Sequence, residues 1–326
     1  MIDRRRFLEL TGATLALGSG FHAVQAQGRF PDRSIRIVVP RAPGGSVDVI
    51  GRGWSEKVRT TLGASHIENM GGGGGRIGAV AVARAPADGY TLLIGSTSEL
   101  VLNPLLEKQP YDPVKDFAPI GILSTSPLIM GINPAIPAKN LKELIAYAKA
   151  NPGKISYGTA GAGTIGHVAT ELLKQHAGLP DVVHVPYKGG SAAIADVISG
   201  QVTFATVSIS GAVVDLHQAE KIRIVAVTSQ DRSEGAPDLP SIVEQGFPDL
   251  VTIFFIGLFA PTGVPEPILE QLEKVTGEAM KDKVLRKTLL AAGFDVPDSS
   301  RAKAAKFVQD EFQRWGPVLK AASLTR

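Results

Sequence analysis

The chain has 326 residues, a formal net charge of +3 and no cysteine. The absent thiol excludes disulfides, thiolate metal sites and a cysteine nucleophile. Lys and Arg number 34 against 31 Asp and Glu. So even a balance gives no basic footprint for nucleic acid or for an anionic membrane surface.

Residues 1–26 read as an export signal. Arg4-Arg5-Arg6 is a basic start. Leu10 to Val24 is a weakly apolar stretch, and its length of about 15 residues is short for a bilayer span. Val24-Gln25-Ala26 offers small residues for cleavage near Ala26. Arg4-Arg5 followed by Phe7-Leu8 is similar to the twin-arginine signal; the alternative is an ordinary secretory signal with a basic start. Either route leads to the periplasm. Cleavage removes three basic and two acidic residues from the totals above, so the mature charge is near +2. The mature chain of about 300 residues exceeds what one core usually fills, so two lobes are expected. No later apolar run of about 20 residues occurs, and a soluble protein is expected.

Strand-like and helix-like segments alternate along the mature chain. Ile35–Val39 precedes a helix from Ser46 to Leu62. Ile67–Met70 precedes one from Ile77 to Arg84, and Tyr90–Gly95 is the next strand. Ile120–Leu123 and Leu128–Ile132 are predicted as separate strands, divided by Ser124-Thr125-Ser126-Pro127. Asn140 with Glu143 predicts a capped helix over Leu141–Ala150, which Asn151-Pro152-Gly153 stops. Ile155–Tyr157, Val182–Val185, Phe204–Val207 and Ile222–Val227 are further strands, with helices at Thr164–Ala177 and Ser191–Ser199. Thr252–Ala260 is a Phe-rich strand. The last third is helical, and Ala304, Val308, Phe312, Trp315 and Leu319 recur at helical spacing, as core residues do. The order predicts an α/β fold with largely parallel sheets. Crossovers near 124–128 and 249–254 would place residues 28–126 plus 253–326 in lobe I and 127–252 in lobe II, with a ligand cleft between them.

Two glycine-rich turns stand out. Arg41-Ala42-Pro43-Gly44-Gly45-Ser46-Val47-Asp48 follows the first strand, and Thr159-Ala160-Gly161-Ala162-Gly163-Thr164-Ile165-Gly166-His167 follows Ile155–Gly158. Each leads into a helix, whose first N–H groups lack partners and sit at the positive end of the dipole. Ser46 is the expected N-cap of the first helix, and Asp48 lies in its first turn. Either turn alone is equally a plain strand-to-helix connection. Two of them favour a pair of lobes gripping one anion, whether phosphate, nucleotide or carboxylate.

Other motifs argue against rival chemistry. Gly73-Gly74-Gly75-Arg76-Ile77-Gly78 matches a dinucleotide fingerprint, but the strand before it carries His66, Glu68 and Asn69 and is not the first strand. No P-loop lysine pattern and no G-x-S-x-G elbow occur at either turn. His167 and His184 have no acid in a triad pattern, and the other histidines lack metal-ligand spacing. No catalytic residue, metal or cofactor is expected. An exported enzyme acting on a carboxylate in the same cleft is the alternative reading.

The chain resembles the Bug-type periplasmic receptors, the substrate-binding proteins of tripartite tricarboxylate transporters. The resemblance rests on Phe30-Pro31-Asp32-Arg33, Ala42-Pro43-Gly44-Gly45-Ser46 with Asp48, Glu68-Asn69, Ala87-Asp88-Gly89-Tyr90-Thr91-Leu92-Leu93 and Asn103-Pro104. It rests further on Tyr111-Asp112-Pro113-Val114-Lys115-Asp116-Phe117-Ala118-Pro119, Val183-His184-Val185-Pro186-Tyr187-Lys188-Gly189 and Gly257-Leu258-Phe259-Ala260-Pro261. It implies a two-lobed binding protein, related to the type II periplasmic fold, that closes on a di- or tricarboxylate or another small organic acid. It implies contacts from Gly44, Gly45, Ser46, Gly161, Gly163 and Thr164, with Asp48 beside them and with Thr97, Ser98, His167 and Ser208 as further ligand groups. It also implies membrane transport components or a sensor kinase as partners, and a monomer. Arg41 departs from the family's aromatic residue. It either pairs with a second ligand carboxylate or points to solvent. The Gly71–Gly75 run and Thr206-Val207-Ser208-Ile209 are further departures.

Overall fold

The computed structural model describes residues 30–321 apart from Ala42, Glu234 and Gly235. The expected export signal lies outside the described residues. Met1–Asp32 is a unit of its own, and all that follows concerns the unit Arg33–Arg326.

The first half opens with strand β1 (Ile35–Val39), helix α1 (Ser46–Leu62), strand β2 (Ser65–Asn69), helix α2 (Arg76–Ala83) and strand β3 (Thr91–Ser96). β1 pairs in parallel with both β2 and β3, so β1 lies between them. A short π-helical turn at Ser98–Leu102 and helix α3 (Asn103–Leu106) follow. Strand β4 (Phe117–Ile132) then runs 16 residues without a break.

The second half repeats the first arrangement. Helix α4 (Leu141–Ala150) leads to strand β5 (Ser156–Thr159), helix α5 (Ile165–Ala177), strand β6 (Val183–Pro186), helix α6 (Gly190–Ser199) and strand β7 (Phe204–Ser208). β5 pairs in parallel with β6 and β7 and lies between them. Helix α7 (Gly211–Gln218), strand β8 (Arg223–Val227), strand β9 (Ile253–Pro261) and helices α8 (Glu266–Met280), α9 (Lys283–Ala291) and α10 (Arg301–Ala321) complete the chain.

The centre of the sheet corrects two expectations. The path is β2-β1-β3-β9-β4-β7-β5-β6, with β8 also on β4. Its middle is antiparallel, because β9 returns between β3 and β4. Ser124–Pro127 does not interrupt β4. Pro127 lacks an N–H, yet it sits where the ladder changes partner, opposite Ile253 at the start of β9. The next residue, Leu128, already faces Ser208 of β7 and donates its N–H to Thr228 Oγ1 at 2.8 Å. No ladder donor is needed from Pro127.

The local elements otherwise follow the sequence. Asn140 Oδ1 accepts from Glu143 N at 2.9 Å, and Glu143 Oε2 accepts from Lys139 N at 2.8 Å, which caps α4 as expected. On α10, Ala304, Val308, Trp315 and Leu319 are buried, while Phe312 stays half-exposed. Trp54 and Trp315 are fully buried, each with its indole N–H bonded, to Thr276 Oγ1 and Glu311 Oε2.

Candidate ligand site at the strand ends

Strand order decides where a ligand fits. In open α/β sheets, binding crevices form beyond the carboxyl ends of strands where the order reverses. That point lies between β1 and β3 in the first half and between β5 and β7 in the second. The register brings the two together. Ser96, the end of β3, faces Ile256 of β9, which faces Ser124 of β4. Ser208, the end of β7, faces Leu128 of the same strand. Four positions along β4 separate these rows, about 13 Å at 3.3 Å per residue. Because β7 runs antiparallel to β4, both sets of strands direct their carboxyl ends at this gap.

The loop after β1 is built around Asp48. Asp48 is 2% exposed, and its carboxylate accepts from Gly44 N at 2.9 Å, Arg52 Nε at 2.8 Å and Asn69 Nδ2 at 2.8 Å. Burial pushes this carboxyl upward, but the donors from Arg52, Gly44 and Asn69 outweigh it and hold the pKa at about 2. Asn69 Nδ2 also donates to Arg41 O at 3.1 Å, so both ends of the loop are tied to β2. Asp48 is thus placed under the loop, as its organiser. Gly44, at φ +83°, takes a conformation that suits glycine. Gly45, not Ser46, is the N-cap, and no side chain caps the helix there. Ser46 is the first helical residue and is half-buried, and its hydroxyl has no hydrogen-bond partner among the described residues. The N–H groups of Ser46, Val47 and Asp48 have no helical acceptor.

The loop after β5 repeats this device. Gly163 N donates to His167 Nδ1 at 3.2 Å, as Gly44 N donates to Asp48. In both loops the residue before the N-cap donates to a side chain four positions on. Thr164 Oγ1 donates to Gly161 O at 2.7 Å, and Gly161 N donates to Thr159 Oγ1 at 3.2 Å. The amides of Gly161 and Gly163 are therefore spent on shaping the turn. The amides left open at the start of α5 are those of Ile165, Gly166 and His167. The sequence reading assigned ligand contacts to Gly44, Gly45, Ser46, Gly161, Gly163 and Thr164; in the structure the amides of Gly44, Gly161 and Gly163 bond within the turns. The i, i+4 spacing of Gly44 with Asp48 and of Gly163 with His167 was the available signal.

A ring stack supports this second loop. His167 and His184 stack at 4.1 Å, and Tyr157 stacks on the other side of His184 at 4.8 Å. His184 Nε2 lies 2.7 Å from Thr159 Oγ1. Tyr157 donates to Glu171 Oε1 at 2.6 Å, and Lys174 Nζ donates to the same oxygen at 2.8 Å. Neither Tyr157 nor His184 was singled out as a site residue, since both read as strand residues. Accepting from a backbone N–H makes His167 Nδ1 a lone pair and places its proton on Nε2.

Both imidazoles are held neutral. Burial, and then the neighbouring His167, lower the His184 pKa from 6.5 to about 4, and burial lowers that of His167. The unfolded chain therefore binds protons below about pH 6.5 that the folded one refuses. Stability from this stack is complete above pH 6.5 and falls as pH drops toward 4. For His184 the loss is about 2 kcal/mol after allowance for partial solvation. Denaturant titrations from pH 7.5 to 4.5 are expected to show this slope in the wild type and a flatter one in His184→Gln. Parallel slopes would remove the stack as its source.

The remaining predicted residues divide. Ser208, at the end of β7, is half-buried, with no hydrogen bond to its hydroxyl among the described residues. Ser98 is 6% exposed and opens the π-helical turn. Thr97 is fully buried, and its Oγ1 accepts from Phe255 N at 2.8 Å, so it ties β3 to β9. Arg41 has a partner that the sequence reading did not foresee. Its Nη1 donates to Pro40 O at 2.8 Å and forms an ion pair with Glu99, which is fully buried. Glu99 lies in the turn after β3, where no charged contact was foreseen. Among the described residues no group of three metal-ligating side chains occurs.

Two α/β halves that share crossing strands, with anion-ready helix starts facing one gap, define a two-lobed solute-binding protein. The profile of the tripartite tricarboxylate transporter family receptor matches residues 50–324, and the chain belongs to that family. MatC from Rhodopseudomonas palustris, solved with bound malate, is 31% identical, with a TM-score of 0.79 over 89% of this chain and 100% of that one. Rpa4515 from R. palustris, solved with adipate, is 31% identical, with a TM-score of 0.81 over 90% and 98%. The periplasmic binding protein BugD is 31% identical, with a TM-score of 0.79 over 91% and 99%. The chain is accordingly a periplasmic solute-binding receptor and not an enzyme.

Proposed function

We propose that this receptor captures a small organic carboxylate in the gap between the β1/β3 and β5/β7 strand ends and closes two lobes around it. The lobes comprise residues 28–126 plus 253–326 and residues 127–252, hinged where β4 exchanges β9 for β7 and β8. The observation that carries the reading is the paired design of the loops. Each spends a glycine amide on an i+4 side chain and leaves the next helix amides open toward the same gap.

The carboxylate sits on the open amides of Ser46, Val47, Ile165 and Gly166. Ser46 and Ser208 supply hydroxyls, Gly45 and Thr164 frame the approach, and Ser98 lines it. Gly44, Gly161, Gly163, Asp48 and His167 hold the turns in shape. Malate and adipate in two related structures favour a carboxylate over a phosphate or nucleotide. An export signal cleaved near Ala26, of the twin-arginine kind, would bring the chain to the periplasm. There it acts as a monomer that delivers its solute to membrane transport components or reports it to a sensor kinase.

A thermal-shift screen of ligand-stripped protein against organic acids tests this. A true ligand at about 100 times its Kd stabilises by about 2.7 kcal/mol. A panel of acids that leaves the melting curve unmoved would contradict the reading, and turnover of a bound acid would restore the enzyme alternative.

A further inference from the structure

Arg41 and Glu99 meet at the β1/β3 reversal, within reach of a ligand whose carboxylate sits on the helix starts. Arg41 follows β1, three residues before Gly44. Three peptide steps of 3.8 Å put their Cα atoms no more than about 11 Å apart. Glu99 follows β3. Its Oε2 accepts from Ser96 N at 2.9 Å and from Ser96 Oγ at 2.6 Å, while Oε1 faces Arg41 in an ion pair and takes no aligned hydrogen bond. Gly75 closes over the pair at φ +97°, and a Cβ there would overlap both Glu99 Oε1 and Arg41 Nη1. Glu99 is therefore packed closely against Arg41, with no room on the Gly75 side.

Charge in the gap follows from this. Arg41 is cancelled by Glu99, and Arg52 by Asp48. Glu171 and Lys174 cancel each other behind the histidine stack. The ligand's first carboxylate is met by backbone dipoles, and among the side chains of the two loops and of the turn after β3 no uncompensated cation is left for a second. Arg41 nevertheless offers hydrogen bonds. Its side chain is 29% exposed, and Nε and Nη2 have no acceptor among the described residues.

Resting on the carboxylate reading above, we infer that Arg41, neutralised by Glu99, is a specificity-determining residue that selects monocarboxylates with an uncharged hydrogen-bond acceptor at the far end, such as hydroxy acids, and disfavours dicarboxylates. Glu99 is the positioning residue. A second ligand carboxylate would bring a like charge beside the buried Glu99, and such juxtapositions are unfavourable.

Calorimetric titration of ligand-stripped protein with length-matched pairs tests this: ω-hydroxypropionate against malonate, ω-hydroxybutyrate against succinate, and ω-hydroxyhexanoate against adipate. In the wild type the hydroxy acid of the best-binding pair is expected to bind at least about tenfold more tightly than its diacid. Glu99→Gln, which frees the charge of Arg41, is expected to reverse that preference. A wild-type preference for the diacid overturns the inference and leaves the carboxylate reading standing. An unchanged preference in folded Glu99→Gln overturns the role of Glu99. The wild-type ratio needs no variant, so it decides even if that variant does not fold. Failure of every acid in the panel to bind overturns the underlying reading as well.

Discussion

Ser46→Leu is expected to lower carboxylate affinity by more than about 100-fold while the protein melts where the wild type does. The side chain of Ser46 projects from the first position of α1, beside the amides left open by the loop. It is half-buried, and its hydroxyl has no partner within the described fold. Replacing it breaks no contact that holds the structure, and substitutions of that kind usually fall within about 0.5 kcal/mol. Leucine, however, sets apolar volume where the anion must come within hydrogen-bond distance of the backbone, and an amide barred from its acceptor is costly in a dry site. Ser46→Ala separates the two effects. It removes one hydroxyl contact, worth about 1 kcal/mol or some fivefold in affinity, and leaves the approach open. Titration of both variants against one acid gives the comparison. If Ser46→Leu binds as the wild type does, the ligand does not reach the start of α1.

The parts of this fold legible in the sequence were those with local causes. The two glycine turns announced themselves because a strand, a tight turn and a helix start follow each other within about ten residues. The α4 cap was legible because Asn140 and Glu143 answer each other across three positions. What stayed hidden depends on distant partners. Pro127 read as a break in β4, because its tolerance rests on the exchange of β9 for β7 and β8 at that residue. The antiparallel centre was missed because β9 lies more than a hundred residues beyond its neighbour β4 in sequence. Glu99 was passed over because its partner Arg41 lies 58 positions away and Gly75, which closes over the pair, sits in a glycine run whose packing partners are distant in sequence. The loop glycines illustrate the limit most clearly. Which amides the loops keep open depends on Asp48 and His167 reaching back to claim Gly44 and Gly163.

Gly166→Ala is expected to cost about 2 kcal/mol of stability and to weaken carboxylate binding by about 100-fold. Helix α5 crosses β7 at this residue. A Cβ on Gly166 would lie 2.3 Å from Thr206 O, a backbone atom of a buried strand that no rotamer change can move. Thr170 Oγ1 bonds both Gly166 O at 2.9 Å and Thr206 Oγ1 at 2.7 Å, so helix and strand are already drawn tight there. Overpacking of this kind costs about 1–3 kcal/mol, and the better helix propensity of alanine returns at most about 1 of that. To relieve the overlap, the start of α5 must lift from the sheet by several tenths of an ångström, and it carries the open amides of the second loop with it. Displacements near 1 Å at groups that must meet a ligand together can cost about 100-fold. Gly277→Ala is the matched control. It too places alanine within a helix, α8, but its Cβ meets nothing within 4 Å. That variant is expected to gain up to about 1 kcal/mol and to bind as the wild type does. Chemical denaturation gives the stabilities and calorimetry the affinities. Full affinity in Gly166→Ala would mean that the start of α5 takes no part in holding the ligand, and would leave the loop after β1 as the only grip.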